Sequence, residues 1–403
     1  MHSHSERSCA SHGFSLVGNH PRDRLKPITG PISVPILKPR ACEVCNKQDN
    51  LVRCSACQVV YYCDEEHRAA DRPRHAWNCY HIDNGRALVE QERQILLHMP
   101  QGSAHPGSNL FETSPGHFGE IIEARAYIKN RWLLVLRLLE SFGRIGGHAQ
   151  AVEEALDHIM DVMFLAPTGW LVDLRPFAPA LQIRLNQDQD AYCFCKRWLA
   201  IPRSDYTMFF MREVPLPDVT HADIFESTEM WTTNMNEFSH TSIVALIKAR
   251  ILVDLQILQS ANRILRRIFP QEISDLIRTR LAIHVLQLQP ELLCVSAEEL
   301  SIMTRTIKTQ VKSLYHFIDE HNKYFWYLLL ERGSEAAKVR APRRDAGSEG
   351  EACSTIHNIY EAWAENPRSI RVMQDLRYHV NGGYYIPELY KLDWCNYLEG
   401  YRY

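Results

Sequence analysis

Apolar positions recur with a helical period from about residue 84 onward, and not before it. Residues 1–40 are rich in Ser, His and Pro without periodicity, which predicts a disordered arm. The first helix is expected over 86–99, followed by a Gly- and Pro-containing loop to about 116. A long helix is expected over 118–142, its apolar face built from Ile121, Ile122, Tyr127, Ile128, Trp132, Val135, Leu136 and Leu139. Gly143, Gly146 and Gly147 end it, and the next helix, 149–165, stops before Pro167. Pro176 and Pro179 precede a helix near 180–186, and Asp188 is placed to N-cap another that ends near 199. Short links between such segments favour antiparallel neighbours. The expected fold is mainly α, an α-helical domain over 84–403 of stacked antiparallel helix pairs, TPR-like in layout but without the TPR consensus residues.

Farther along, 202–238 is polar, acidic and Pro-containing and is expected to be a loop. Strong helical patterns follow at 239–267, after Pro270, and over 297–330, the last with an aromatic end at Tyr324, Phe325, Trp326 and Tyr327. Residues 333–352 are poor in apolar positions and predict a flexible insertion. A last helix is expected near 354–365. The aromatic-rich tail is expected to pack back onto the helices, because so many exposed rings would form a sticky patch.

Composition changes this picture little, with 45% hydrophobic and 23% charged residues among 403, as in ordinary globular proteins. A formal net charge of −3 supplies no cationic field for nucleic acid. The N-terminal residues contain no apolar signal core, and no run reaches membrane-spanning length. The expected setting is intracellular, cytoplasmic or nuclear, with no membrane. Cysteine usage adds more. Six of twelve cysteines fall within 42–79, and in an intracellular chain such clustering points to metal rather than disulfides.

That segment, 41–80, holds Cys42-x2-Cys45, Cys54-x2-Cys57, Cys63-x3-His67 and His75-x3-Cys79. A C-x2-C pair presents two ligands from one knuckle. An x3 spacing puts two ligands one helical turn apart on a single face. Eight N and S donors make two closed tetrahedral zinc sites, each with three Cys and one His if the pairs alternate. Closed sites are structural, because no coordination position remains for a reacting water. About forty residues cannot hold a core unaided, so the metal supplies the folding energy. Chelation is therefore expected to unfold the finger and spare the helices.

The segment resembles a MYND-type zinc finger, whose pattern runs C-x2-C, C-x2-C, x4, Tyr-Cys, x3, Cys-Gln, x3, Trp, x2, His-Lys, x2, Cys. Each spacing is met here, including Tyr62-Cys63. The resemblance implies interleaved pairing, with Cys42, Cys45, Cys63 and His67 on one zinc and Cys54, Cys57, His75 and Cys79 on the other. His67 stands where the family has Cys, Arg68 for Gln, Arg72 for Trp and Ala76 for Lys. In the family the Gln and Trp positions help form a groove for proline-containing peptides, which makes Tyr62, Arg68 and Arg72 the candidate peptide-contacting residues. Pro35-Ile36-Leu37-Lys38-Pro39 matches the Pro-x-Leu-x-Pro peptides that such grooves accept. Pro35, Leu37 and Pro39 are thus a candidate internal pseudo-ligand, bound in trans or along the finger's own sheet edge. The helical remainder, through 151–166 and LQIRLNQDQDAYCFCKRWL at 181–199, also resembles the C-terminal part of uncharacterised fungal MYND-domain proteins.

Residues 40–80 carry six basic and six acidic side chains, so the finger has no cationic face beyond a small patch at Arg68, Arg72 and Arg74. The expected function is a zinc-binding protein–protein interaction module or adaptor, a regulator in a transcriptional or ubiquitin-linked assembly. The alternatives are a divergent SET-like lysine methyltransferase and a DNA-binding regulator. The first would need a G-x-G cofactor segment, which 1–41 lacks, and an Asn-His-Ser-Cys segment, to which 236–240 is a poor match. No G-x-S-x-G, H-E-x-x-H or Walker A motif occurs, and Cys193, Cys195, His148 and His158 read as packing or surface residues. Catalysis is not expected.

Overall fold

The computed structural model describes residues 37–99, 109–166, 174–201, 218–219, 222–233, 237–265, 271–288, 292, 295–339 and 345–380. Most of the expected arm (1–36, with Pro35), most of the 202–238 loop, the centre of the expected insertion (340–344) and the aromatic tail from 381 lie outside the described residues.

Two short strands, β1 (Val52–Arg53) and β2 (Tyr61–Tyr62), pair antiparallel with Val52 opposite Tyr62. Helix α1 (Glu65–Leu97) follows at once. Asp64 caps it, accepting the His67 N–H at 2.7 Å. The expected start at 86 is therefore too late, and the boundary expected between finger and helical domain falls inside one continuous helix. Pro73 sits exposed within α1 without ending it.

Helices α2 (Leu110–Thr113), α3 (Arg125–Ser141) and α4 (Ala149–Leu165) complete the first layer. The long helix expected from 118 begins instead with a 3-10 turn at Ile122–Ala124. Helix α3 packs between α1 and α4. The α1–α3 crossing is close at Gly85, where an added Cβ would lie 2.9 Å from Arg137 Nη1 and 3.1 Å from Leu134 Cδ1.

Helices α5 (Phe177–Arg184) and α6 (Asp188–Leu199) form a hairpin shared by two cores. Leu181, Phe194 and Trp198 face the first core, with α1, α3 and α4, while Ile183, Tyr192 and Cys195 face the second. Cys193 and Cys195 are both buried, as expected of packing residues. Asp188 is the first helical residue and makes no cap. It is buried against Arg250 at 2.8 Å instead.

The second core surrounds α8 (Phe238–Leu265), reached through α7 (Glu229–Thr233). Every residue from 238 to 255 is buried, so α8 is a central helix covered on all sides. Its charged residues are satisfied internally. Lys248 Nζ donates to the Ile224 and Glu226 carbonyls at 2.6 and 2.8 Å, and Asp254 accepts the Ala282 and Ile283 N–H groups at 2.8 Å. Ile224 and Trp231 are themselves buried, so the described end of the expected 202–238 loop belongs to this core.

Around α8 lie α9 (Gln271–Arg278), α10 (His284–Gln287), α11 (Ala297–His321), α12 (Phe325–Ala336), α13 (Glu349–Ala364) and α14 (Pro367–Val380). A capping box between Ser296 and Glu299 starts α11. The periodicity predicts one helix over 297–330, but Asn322 divides it. Its Oδ1 accepts the Tyr324 N–H at 3.1 Å, and its Nδ2 reaches the Ser348 carbonyl at 2.8 Å. The expected insertion shrinks from both ends, since 333–336 and 349–352 are helical. Helix α14 lies beyond the helix expected to be the last.

Candidate metal centre

The finger is built on three short devices. Asn46 (φ 58), Asn50 (φ 53) and Gln58 (φ 53) adopt the left-handed conformation that tight turns around C-x2-C pairs require. The Asn46 N–H returns to the Cys42 carbonyl at 2.9 Å, and the Gln58 N–H to the Cys54 carbonyl at 3.0 Å. The β1–β2 hairpin then brings Cys63 beside Cys42 and Cys45. Finally, α1 presents His67 on one turn and His75 with Cys79 farther along.

Two four-residue clusters result: Cys42, Cys45, Cys63 and His67, and Cys54, Cys57, His75 and Cys79, with the ligand atoms of each within 4.8 Å of one another. The pairs alternate, as the resemblance implied. A tetrahedral zinc with bonds near 2.0–2.3 Å holds its ligand atoms about 3.5–3.8 Å apart. Cys45 Sγ–Cys63 Sγ and Cys54 Sγ–Cys79 Sγ are both 3.6 Å, Cys42 Sγ–His67 Nδ1 is 3.6 Å and Cys57 Sγ–His75 Nε2 is 3.7 Å. Cys54 Sγ–His75 Nε2, at 3.4 Å, and Cys63 Sγ–His67 Nδ1, at 2.9 Å, are tighter than that frame. Hydrogen bonds from Cys57 and His75 push the Cys54 thiol well down, while the shared proton and burial push Cys57 up. The clusters fit two zinc ions per chain, each closed by four protein donors.

The finger is seated on the helical layer. Arg86 of α1 donates to the Cys57 carbonyl at 2.7 Å and to Glu154 of α4 at 2.6 Å. Glu43, beside Cys42, pairs with Arg74 at 2.9 Å and with His148 at 3.2 Å. Tyr61 Oη donates to Gln150 at 3.3 Å, and Arg40 meets Glu153 at 3.8 Å. Finger residues Cys54, Cys57, Val59, Val60 and Tyr62 share one core with Leu134, Leu138 and Val152 of α3 and α4. His148 and His158 belong to this seam as pairing residues, through Glu43 and Glu154.

The expected peptide-contacting residues differ in exposure. Tyr62 is 2% exposed, and its hydroxyl donates to Asp71 at 2.7 Å, so it belongs to the interior and cannot line a surface groove. Arg68 is exposed and paired with Glu65 at 3.3 Å, and Arg72 is exposed. Of the pseudo-ligand segment, Leu37, Lys38 and Pro39 are described, and Lys38 pairs with the α3–α4 turn and with neither β1 nor β2. Leu37 is 1% exposed within the finger's core, and Lys38 pairs in parallel with His148, its N–H on the Gly147 carbonyl at 2.6 Å. Residues 37–40 therefore dock on the α3–α4 turn rather than forming the end of a structureless arm. Pro39 is exposed.

Sequence reasoning missed a pair of exposed aromatics. Trp77 and Tyr80 are 71% and 63% exposed on α1, three residues apart and flanking the ligand Cys79. The signal was available, because both fall outside the metal pattern and outside the α1 residues that contribute to the core.

The MYND finger family matches residues 42–79. A curated relative, Egl nine homolog 1 of Homo sapiens, is 45% identical over 38 residues. That stretch is 9% of this chain and 9% of that protein, so the likeness is confined to the finger. No solved structure matches the chain. The chain therefore carries a MYND finger, a zinc-binding protein-interaction module. No helix among the described residues is long and apolar enough to cross a membrane.

Proposed function

We propose that the chain is a zinc-dependent adaptor that recruits protein partners through the exposed face of α1, as a regulatory component of a larger assembly. The observation that carries this reading is the pairing of two closed four-ligand clusters with exposed Trp77 and Tyr80 beside them. Closed coordination directs the metal to scaffolding. Exposed Trp and Tyr on a rigid helix are the residue types that dominate protein interfaces, and exposed Arg72, two turns before Tyr80, adds a third. A proline-containing peptide would suit this face better than the groove through Tyr62, because aromatic rings stack against proline.

The test compares wild type, Trp77→Ala/Tyr80→Ala and Cys54→Ala in quantitative affinity capture from the same extract. Partners of the α1 face are lost from both variants. A partner set unchanged by the aromatic double substitution would overturn the reading.

A further inference from the structure

The helical body contains a second concentration of charge, away from the finger. A cavity of about 280 Å3 opens beside α8, between the end of α5, the 279–282 turn and the start of α14. Arg184, Arg250, Arg280 and Arg368 line it, against Asp254 and Glu365. Two of these arginines are built into the wall. Arg184, 3% exposed, grips Glu365 through Nε at 3.0 Å and Nη2 at 2.8 Å. Arg250, 4% exposed, pairs with Asp188 and donates to Asn366 Oδ1 and the Ala282 carbonyl, each at 2.7 Å. The Asp254 carboxylate is turned to backbone N–H groups, and burial pushes its carboxyl up to about 7. At neutral pH it therefore contributes less than a full negative charge.

The other two arginines differ. Arg280 and Arg368 are exposed and form no ion pair among the described residues. Beside Arg368, the first turn of the fourteen-residue helix α14 has backbone N–H groups without intrahelical acceptors. Ser369, 2% exposed, also lines the cavity, and its hydroxyl meets no partner among the described residues. A buried, unpartnered hydroxyl, free first-turn amides and two free guanidinium groups thus border one space. Guanidinium forks and helix N-termini both suit a tetrahedral dianion with several acceptor oxygens.

We propose that this cavity binds a phosphoryl group, held by Arg280 and Arg368, the first-turn amides of α14 and the Ser369 hydroxyl. Its size takes a compact phosphomonoester and excludes a nucleic-acid duplex. The phosphoryl group comes from a small phosphorylated metabolite or from a phosphorylated side chain, which share this chemistry.

The test is calorimetric titration of the zinc-loaded full chain at constant ionic strength with O-phosphoserine, a phosphoserine peptide and serine. Wild type binds the phosphorylated probes and not serine. Arg280→Gln/Arg368→Gln weakens binding at least about tenfold, the scale expected when charge-assisted hydrogen bonds are removed. Both residues are exposed, so an unchanged melting temperature certifies the fold of the variant. Arg280→Lys/Arg368→Lys recovers part of the affinity, because charge persists without the fork. Equal affinity for the two phosphorylated probes supports a free phosphomonoester, and tighter peptide binding supports a phosphorylated chain. No binding by wild type at millimolar probe, or undiminished binding by the glutamine variant, overturns the proposal.

Discussion

Replacing Arg86 by Met should loosen the finger from the helical layer and destabilise the whole first core. Arg86 links a zinc knuckle to α4, through the Cys57 carbonyl at 2.7 Å and Glu154 at 2.6 Å. The side chains are 22% and 14% exposed, so solvent screens the pair only in part. A hydrogen bond involving a charged group contributes about 1.5–3 kcal/mol. Removing one partner of a buried pair can cost roughly 3–5 kcal/mol because a charge is left unpaired. Here His158 Nε2 stays 3.6 Å from Glu154, and Met preserves most of the stem's packing. The expected loss is therefore about 2–3 kcal/mol. Urea unfolding of zinc-loaded protein at neutral pH, followed by tryptophan fluorescence, measures it. Combining the change with Glu154→Gln should reveal a coupling energy of about 1–2 kcal/mol. A chromogenic chelator should also extract zinc faster from the variant. A loss below about 0.5 kcal/mol, the range of ordinary surface changes, would refute the reasoning.

Metal analysis should give two zinc ions per chain, and one or none would contradict two closed sites. Chelation should expose amides of α3 and α4 to hydrogen exchange together with the finger, while α8 and α11 stay protected, because the finger shares a core with α3 and α4 whereas α8 and α11 belong to the second core. Protection retained throughout α3 and α4 would show an autonomous finger. Gly333→Ala should cost roughly 1–3 kcal/mol, since an added Cβ would meet Tyr360 Cε2 at 2.3 Å. An unchanged denaturation midpoint would mean that the ring moves aside freely. Lys248 supplies a pH signature. Burial pulls its ammonium from the ordinary 10.5 down to about 7, against the nearby Asp223 and Glu226. The unfolded chain then binds this proton more tightly, so stability rises with pH between about 7 and 10.5, by an amount on the order of a few kcal/mol. The stability difference between wild type and Lys248→Met should grow over that window, and a flat difference would sink the argument.

The eight ligands were legible in the sequence because their chemistry fixes their spacing: two knuckles and two helical turns leave few alternatives. Helices such as 149–165 were legible because one face is buried and the other is not. The misreadings have physical causes as well. The ligand pattern hides the continuity of α1, since His67, His75 and Cys79 belong to the finger's ligand set and also lie on the helix that later packs against α3. Apolar period continues straight through Asn322, so only its side-chain bonds to Tyr324 and Ser348 reveal the break. The burial of the α8 charges is not readable from the sequence, because their partners, Ile224, Asp188 and Ala282, lie far away in it. Arg280 and Arg368 meet at one cavity for the same long-range reason.

The continuity of α1 also bears on how a partner would act. Its 33 residues form a rod about 50 Å long. The first half supplies three zinc ligands, and the second packs on α3. Trp77 and Tyr80 lie at the junction, one on each side of Cys79. A partner that grips both rings needs this stretch helical and fixed, which is the state that two bound zinc ions impose. Binding that requires the zinc-loaded state must stabilise that state by mass action, and the coupling is reciprocal. Partner binding should therefore slow zinc extraction from the second cluster, Cys54, Cys57, His75 and Cys79, more than from the first. Its ligand Cys79 lies between the two aromatic residues, whereas His67 lies ten positions before Trp77. Equal slowing at both clusters would mean that the partner clamps the finger as a whole and not the α1 face.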